Sequence, residues 1–138
     1  MIDIYGLTGA EKLNGKALRD YASKNITFMG IRSHKEVLER YSAYSLLLST
    51  SCSETFGLSV AEAISHGTPV VCTDSGGVRD FVEATNGIIV GIADVYAIAA
   101  AIHEVISCKY DYKIMSKRIL DKYGMTAYMN NFRFMLNG

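Results

Sequence analysis

Two carboxylates carry the clearest chemistry in this chain. Glu54 and Glu62 are separated by seven residues in the stretch Ser53-Glu54-Thr55-Phe56-Gly57-Leu58-Ser59-Val60-Ala61-Glu62-Ala63. A strand-like apolar run over residues 44–49 leads in, and another over 69–72 follows. That context predicts Glu54 in a loop at a strand's carboxyl end and Glu62 about one and a half turns into the next helix. In an open α/β sheet, ligands bind in the crevice outside the carboxyl ends of the strands. Two carboxylates facing such a crevice suit a ligand rich in hydroxyls, such as a sugar nucleotide.

The residues between them add a second chemistry. Gly57 at the predicted helix start lets a ligand or another backbone come close. The first amides of a helix have no intrahelical partner, and with the helix dipole they attract an anion. A diphosphate there would meet the amides of Thr55, Phe56, Gly57, Leu58 and Ser59; an ordinary strand-to-helix turn explains the same residues. Glu62 lies one turn on from Leu58 in a helix apolar nearly all round, the pattern of a buried helix. A buried carboxylate needs donors. Two vicinal ribose hydroxyls would supply them, as would a basic side chain or backbone amides. Glycosidase chemistry also uses two carboxylates, but the phosphate-type loop beside them has no role in it.

Two further loops fall on the same sheet edge. Gly76 and Gly77 permit a tight backbone beside a ligand, though a plain loop accounts for them equally well. Gly30 and Ile31 end the predicted second strand, where the backbone could read a nucleobase edge with Ile31 against the ring; the alternative is a simple strand-to-helix turn. His34, His66 and His103 have no second ligand at metal spacing and read as structural or exposed. No serine, cysteine and histidine fall into a nucleophile arrangement.

The elements that must position these residues alternate regularly. Strands are predicted at 2–6, 26–30, 45–49, 69–72 and 88–90. Helices are predicted at 9–23 (Leu13, Ala17, Leu18 and Tyr21 at helical spacing), from 33 to about 41, at 57–66, 78–83, 95–107, 110–122 and about 125–136. Ser33 with Glu36 forms a capping box, Gly67 ends the site helix, and Asp94 caps helix 95–107. Alternating strands and helices imply right-handed βαβ units and a parallel sheet. The fold class expected is α/β: a doubly wound, Rossmann-like parallel sheet of about five strands with helices on both faces and a C-terminal helical segment. The 138 residues read as one domain. Such a nucleotide domain would use one more strand ahead of residue 2, so the chain is expected to begin partway into a domain.

Bulk properties exclude several classes. At 49% hydrophobic and 20% charged, the chain is globular rather than disordered. Fourteen basic residues balance fourteen acidic ones, so no net field draws in nucleic acid. Residues 109–138 nevertheless carry six basic side chains against two acidic ones. That tail reads as a solvated helix face or as a peripheral contact with an anionic membrane. Three unpatterned cysteines, Cys52, Cys72 and Cys108, suit a reduced, cytoplasmic protein. No apolar run reaches the roughly 18 residues of a membrane span, and Met1 opens no signal peptide.

The segment Ser53-Glu54-Thr55-Phe56-Gly57-Leu58, with Glu62-Ala63, Gly67-Thr68-Pro69-Val70-Val71, Gly76-Gly77 and Asn86-Gly87, resembles glycosyltransferase family 4 over residues 2–108. The resemblance implies a GT-B fold, two Rossmann-like domains about a cleft, with this chain as the C-terminal donor-binding domain and the N-terminal acceptor domain absent. It implies that Glu54 holds hydroxyls of the donor sugar as the catalytic-site carboxylate and that Glu62 holds the ribose. Phe56, Gly57 and Leu58 would meet the diphosphate and sugar, and Ile31 would lie near the base. The family retains anomeric configuration, uses UDP-, GDP- or ADP-linked sugars, generally requires no metal, and serves glycan or lipid-linked acceptors, as in polysaccharide biosynthesis. Its arginine and lysine for the diphosphate leaving group belong to a segment that these residues do not contain. The chain alone is therefore expected not to turn over. A non-catalytic sugar-nucleotide-binding module or partner subunit is the alternative, and a GT-B epimerase a third. A response-regulator fold would want acidic residues after the first strand, where Gly6-Leu7-Thr8 offers none.

Overall fold

The computed structural model describes residues 1–127 of the chain. It divides into two compact units, Met1–Glu39 and Arg40–Gly138. The helix expected over about 125–136 lies, from residue 128 on, outside the described residues, as does Arg133 of the basic tail.

In the first unit, β1 (Ile2–Tyr5) pairs in parallel with β4 (Ile26–Gly30), Ile2 opposite Ile26 and Ile4 opposite Phe28. The helix expected at 9–23 is not there. Lys12–Leu13 (β2) and Lys16–Ala17 (β3) form an antiparallel hairpin, followed by a 3-10 turn at Leu18–Asp20. The cause is Asn14-Gly15. Both residues take positive φ, 50° and 80°, the left-handed pair that a two-residue hairpin turn demands and that suits asparagine and glycine. The apolar spacing that suggested a helix was incidental, and Leu13 is exposed. The next expectation holds: Ser33 Oγ accepts from the Glu36 amide at 3.3 Å, and Glu36 Oε2 accepts from the Ser33 amide at 2.9 Å. That reciprocal box starts α1 (His34–Tyr41).

The second unit holds β5 (Leu47–Ser49), β6 (Val70–Thr73) and β7 (Gly87–Val90) in one parallel sheet, ordered β5-β6-β7. The five parallel strands expected from the alternation are present, hydrogen-bonded as a pair and a triplet. Every residue of β6 is buried. Strand alternation turns Val71 to one face, where it clusters with Ala101 and Val105 of α3 (Val95–Ser107). Val70 and Cys72 face the other way, the side on which α2 (Leu58–Ser65) packs against β5 and β6 through buried Val60, Ala63 and Ile64. Helix α4 (Tyr112–Tyr123) lies against α2 and buries Met115 and Ile119. The helix expected at 78–83 is a shorter 3-10 turn at Gly77–Asp80, which ends where Phe81 leaves helical geometry at φ −136° and ψ −8°.

The Asp94 cap fits the sequence reading, and Asp111, which that reading placed inside a helix, is a second cap. Asp94 accepts from the Ala97 amide at 2.9 Å and starts α3. Asp111 accepts from Lys113 and Ile114 and starts α4. Asp94→Ala should cost about 1 kcal/mol of stability through the lost cap. Urea unfolding followed by circular dichroism checks this, with an unchanged slope and a lowered midpoint.

Candidate functional site

The site is built where two loops at the carboxyl ends of β5 and β6 touch through their backbones. Glu54 forms an isolated parallel bridge with Gly76. The Glu54 amide donates to the Ser75 carbonyl at 2.7 Å, and the Gly77 amide donates to the Glu54 carbonyl at 3.2 Å. Gly77 lies so close that a Cβ on it would fall 2.5 Å from the Thr55 carbonyl and 2.6 Å from Phe56 Cα. The glycine pair therefore answers to the neighbouring loop's backbone, a cause that sequence reasoning left as one option among others. Below the contact, buried Thr73 donates through Oγ1 to the Ser51 carbonyl at 2.5 Å and ties the two loops a second time.

Gly57 opens α2 in the left-handed region, φ 79°, and no side chain caps the helix. The Gly57 carbonyl accepts from the amides of Val60 and Ala61. The first-turn residues Leu58 and Ser59 are exposed, Leu58 by 64%. A helix start of this kind offers amides and the positive end of the helix dipole to whatever lies in front of it.

The two glutamates occupy different settings. Glu54 is half-buried, and its Oε1 accepts from Ser51 Oγ at 2.8 Å. A carboxylate offers about four acceptor positions, so Ser51 orients the group and leaves it capacity for a hydroxyl-bearing ligand. Glu62 is also half-buried, in the second turn of α2. The hydroxyl of Tyr41 is set against its carboxylate as a donor, a pairing that sequence reasoning missed. Tyr41 closes α1, and nothing local in the sequence joins it to Glu62. Burial, then the charge and hydrogen bond of Glu62, push the Tyr41 hydroxyl up to about 12.

Thr55 and Phe56 lie at the surface beside this arrangement, with the Phe56 ring 5.5 Å from that of Phe81. Glu54, Thr55, Phe56, Gly57, Gly76 and Gly77 are thus in one continuous contact, and Leu58 and Glu62 follow on the helix that Gly57 starts. Gly30 and Ile31 belong to the first unit: Gly30 ends β4 with φ 69°, and Ile31 is 84% exposed.

Positive charge is scarce here. Between residues 41 and 108, Arg79 is the only lysine or arginine. Its Nε and terminal nitrogen both bind the Asp74 carboxylate. That pairing holds the Asp74 carboxyl below its usual range and raises Arg79. His66 sits at the far end of α2, its Nδ1 2.8 Å from the Glu62 carbonyl. Among the described residues no three His, Cys, Asp or Glu side chains gather as a metal ion would need. No helix among them is long and apolar enough to cross a membrane. A cavity of about 560 Å³ lies at the opposite end of α2, between Ser65, Gly67 and the α4 residues Tyr112 and Ser116. Neither glutamate lines it.

Residues 2–122 match the family described as Glycosyl transferases group 1. The chain belongs to the group 1 glycosyl transferases. Among its relatives, the GtfA subunit of a UDP-N-acetylglucosamine–peptide N-acetylglucosaminyltransferase from Streptococcus agalactiae is 34% identical over 137 residues, covering 87% of this chain and 26% of that protein. The poly(glycerol-phosphate) alpha-glucosyltransferase of Bacillus subtilis is 29% identical over 99% of this chain and 21% of its own length. This glycosyl transferase chain thus spans about a quarter or less of those relatives. A solved structure of the lipopolysaccharide outer core galactosyltransferase WaaB superposes with a TM-score of 0.68 at 25% identity, over 78% of this chain and 32% of that one. The GtfA/B complex superposes with 0.72 at 24% identity, over 98% and 29%, a likeness of fold. The fold is accordingly the Rossmann-like α/β arrangement of GT-B glycosyltransferases, as the residue pattern implied.

Two outcomes follow from this geometry. A Tyr41 hydroxyl held protonated by the fold contributes stability that is complete below the unfolded value of 10.0 and lost as pH rises through about 12. Wild type should lose on the order of 1–3 kcal/mol across that alkaline window, and Tyr41→Phe should lose less; urea midpoints at stepped pH measure both. Gly77→Ala should push the 54–56 loop away and destabilise the fold by roughly 1–3 kcal/mol, the cost of overpacking, which a lowered urea midpoint would record.

Proposed function

We propose that this chain is the donor-binding half of a retaining glycosyltransferase of family 4, standing in the C-terminal position of a two-domain GT-B enzyme. It would bind a nucleotide-sugar for transfer to a glycan or lipid-linked acceptor. The observation that carries this reading is the uncapped start of α2 at left-handed Gly57, with Glu54 just before it and Glu62 one turn inside. Amides there suit the diphosphate. The carboxylate of Glu62 would accept hydrogen bonds from the ribose hydroxyls. Tyr41, donating to Glu62, keeps that carboxylate oriented before the ligand arrives. Glu54, oriented by Ser51, would accept from hydroxyls of the sugar, and the backbone at Gly76 and Gly77 would close the side of the site. Ile31, after Gly30, would meet the base.

The relatives' own names differ in the donor they state: UDP-N-acetylglucosamine for the streptococcal proteins and GDP-mannose for a mycobacterial mannosyltransferase. The base is accordingly left among uridine, guanosine and adenosine. We further propose that the donor is held without a metal, that the protein works in the cytoplasm, and that the basic residues of 109–138 meet the inner face of a membrane.

A nucleoside diphosphate leaving group needs positioned positive charge. Arg79, the nearest cation in sequence, is already committed to Asp74. These 138 residues alone therefore bind donor weakly and do not transfer sugar at an appreciable rate. A second reading, a partner subunit that binds sugar nucleotide without catalysis, is favoured by the relative that is itself named as a subunit.

Titration of the labelled chain with UDP, GDP and ADP tests the reading. Amide shifts at residues 30–32, 54–62 and 75–78 are expected with one base, and none with any of the three at millimolar concentration would refute the donor site. Glu62→Ala should weaken nucleotide binding by roughly 1–3 kcal/mol, the range for hydrogen bonds to a charged group. Glu54→Ala should spare free nucleotide and weaken only the sugar-bearing form. Equal losses on free nucleotide would contradict the division of roles. Transfer by the isolated chain would overturn its proposed dependence on further residues.

A further inference from the structure

The last side chain of α4 reaches both loops of the site. The Tyr123 ring stands edge-on to Phe56, with centroids 6.5 Å apart and planes at 83°, and edge-on to Phe81 at 6.1 Å and 79°. Phe56 and Phe81 complete the triangle at 5.5 Å. The Tyr123 hydroxyl donates to the Asp80 carbonyl at 2.6 Å, and Lys122 Nζ donates to the same carbonyl at 3.3 Å. Phe56 immediately precedes Gly57, the residue that starts α2. Asp80 closes the 3-10 turn that begins at Gly77, and Phe81 follows it.

This arrangement has a specific mechanical content. Phe56 is 42% exposed whereas Phe81 is 2% exposed, so burial fixes the Phe81 ring, while the Phe56 ring is held chiefly by its ring contacts. Edge-to-face pairs are favoured because the positive rim of one ring meets the negative face of the other. The hydroxyl bond to a backbone carbonyl stops the Tyr123 ring from swinging away. A ring anchored on one loop thus presses on the other. A Phe56 that moved would pull on Gly57, the next residue, and with it on the direction in which the first amides of α2 point.

We propose that Tyr123 is a positioning residue for the donor site: it holds the 54–57 loop against the 76–81 loop and so fixes the α2 amides relative to the Gly76-Gly77 backbone. Its effect on ligand binding rests on the donor-site reading; its effect on the two loops does not.

The test uses the full chain, labelled with nitrogen-15, as wild type, Tyr123→Leu and Tyr123→Phe. In Tyr123→Leu the amides of Gly57, Gly76 and Gly77 should shift while those of Ala99 and Ala100 in α3 stay in place. Tyr123→Phe keeps the rings and loses only the carbonyl bond, so its shifts should be smaller and centred on Asp80 and Phe81. With UDP-, GDP- or ADP-glucose as the probe, whichever binds wild type, affinity should fall about three- to tenfold in the leucine variant, the worth of one or two ring contacts, and recover in part in the phenylalanine variant. Unchanged glycine amides in Tyr123→Leu would overturn the proposal, as would shifts spread equally through α3. If the leucine variant does not fold, the phenylalanine variant decides: shifts at Asp80 and Phe81 that extend to Gly77 support the clamp, and their absence overturns it. If wild type binds none of the three probes, the donor-site reading fails, and the glycine amides alone decide the clamp.

Discussion

The backbone contact between residues 54–56 and 76–77 is the constraint on which the rest of the site depends. Two segments that leave adjacent parallel strands would ordinarily diverge as they enter their helices. Here the Glu54 amide and carbonyl are both used, by Ser75 and Gly77, so the ladder between β5 and β6 is resumed beyond the strands' formal ends. A side chain at Gly77 would occupy the space of the Thr55 carbonyl. Once that approach is made, Glu54 has a fixed place, and Gly57 can turn the chain into α2 directly above buried Val78, whose Cγ1 would be 2.9 Å from a Cβ on Gly57.

Above this contact the protein uses different means to prepare its two carboxylates. Ser51 lies three residues before Glu54 and orients it locally. Tyr41 is twenty-one residues before Glu62 and reaches it only because α1 ends beside α2. The Tyr41 carbonyl in turn accepts from buried Thr68 Oγ1 at 2.6 Å, just after the turn that ends α2. One tyrosine thus links the end of α1, the second turn of α2 and the entrance to β6. With such a donor in place, the half-buried carboxylate stands oriented before any ligand binds.

The electrostatic character of the site follows from what surrounds it. Helix-terminal amides supply partial positive charge, and Arg79, the lone cation of residues 41–108, is neutralised by Asp74. The next lysine that reaches these loops is Lys122, which donates to the Asp80 carbonyl. The site thus combines two half-buried carboxylates with the uncapped start of α2.

Much of this was legible in the sequence for local reasons. The βα alternation, the Ser33–Glu36 box, the Asp94 cap and the α2 segment with its glutamates all depend on residues within a few positions of one another, where spacing determines who can bond to whom. The hairpin at Asn14-Gly15 was missed, although its turn chemistry outweighs four apolar residues at helical spacing that bury little. What tertiary structure alone decided are contacts between residues far apart in the chain. These include the hydroxyl of Tyr41 on Glu62, the pressure of Thr55 and Phe56 that makes Gly77 a glycine, and the reach of Tyr123 from α4 to Phe56 and Asp80. No periodicity encodes such pairs, because each is set by how α1, α2 and α4 pack rather than by the residues' own neighbours. The sequence determined which groups the site contains; packing determined which of them are held, and by what.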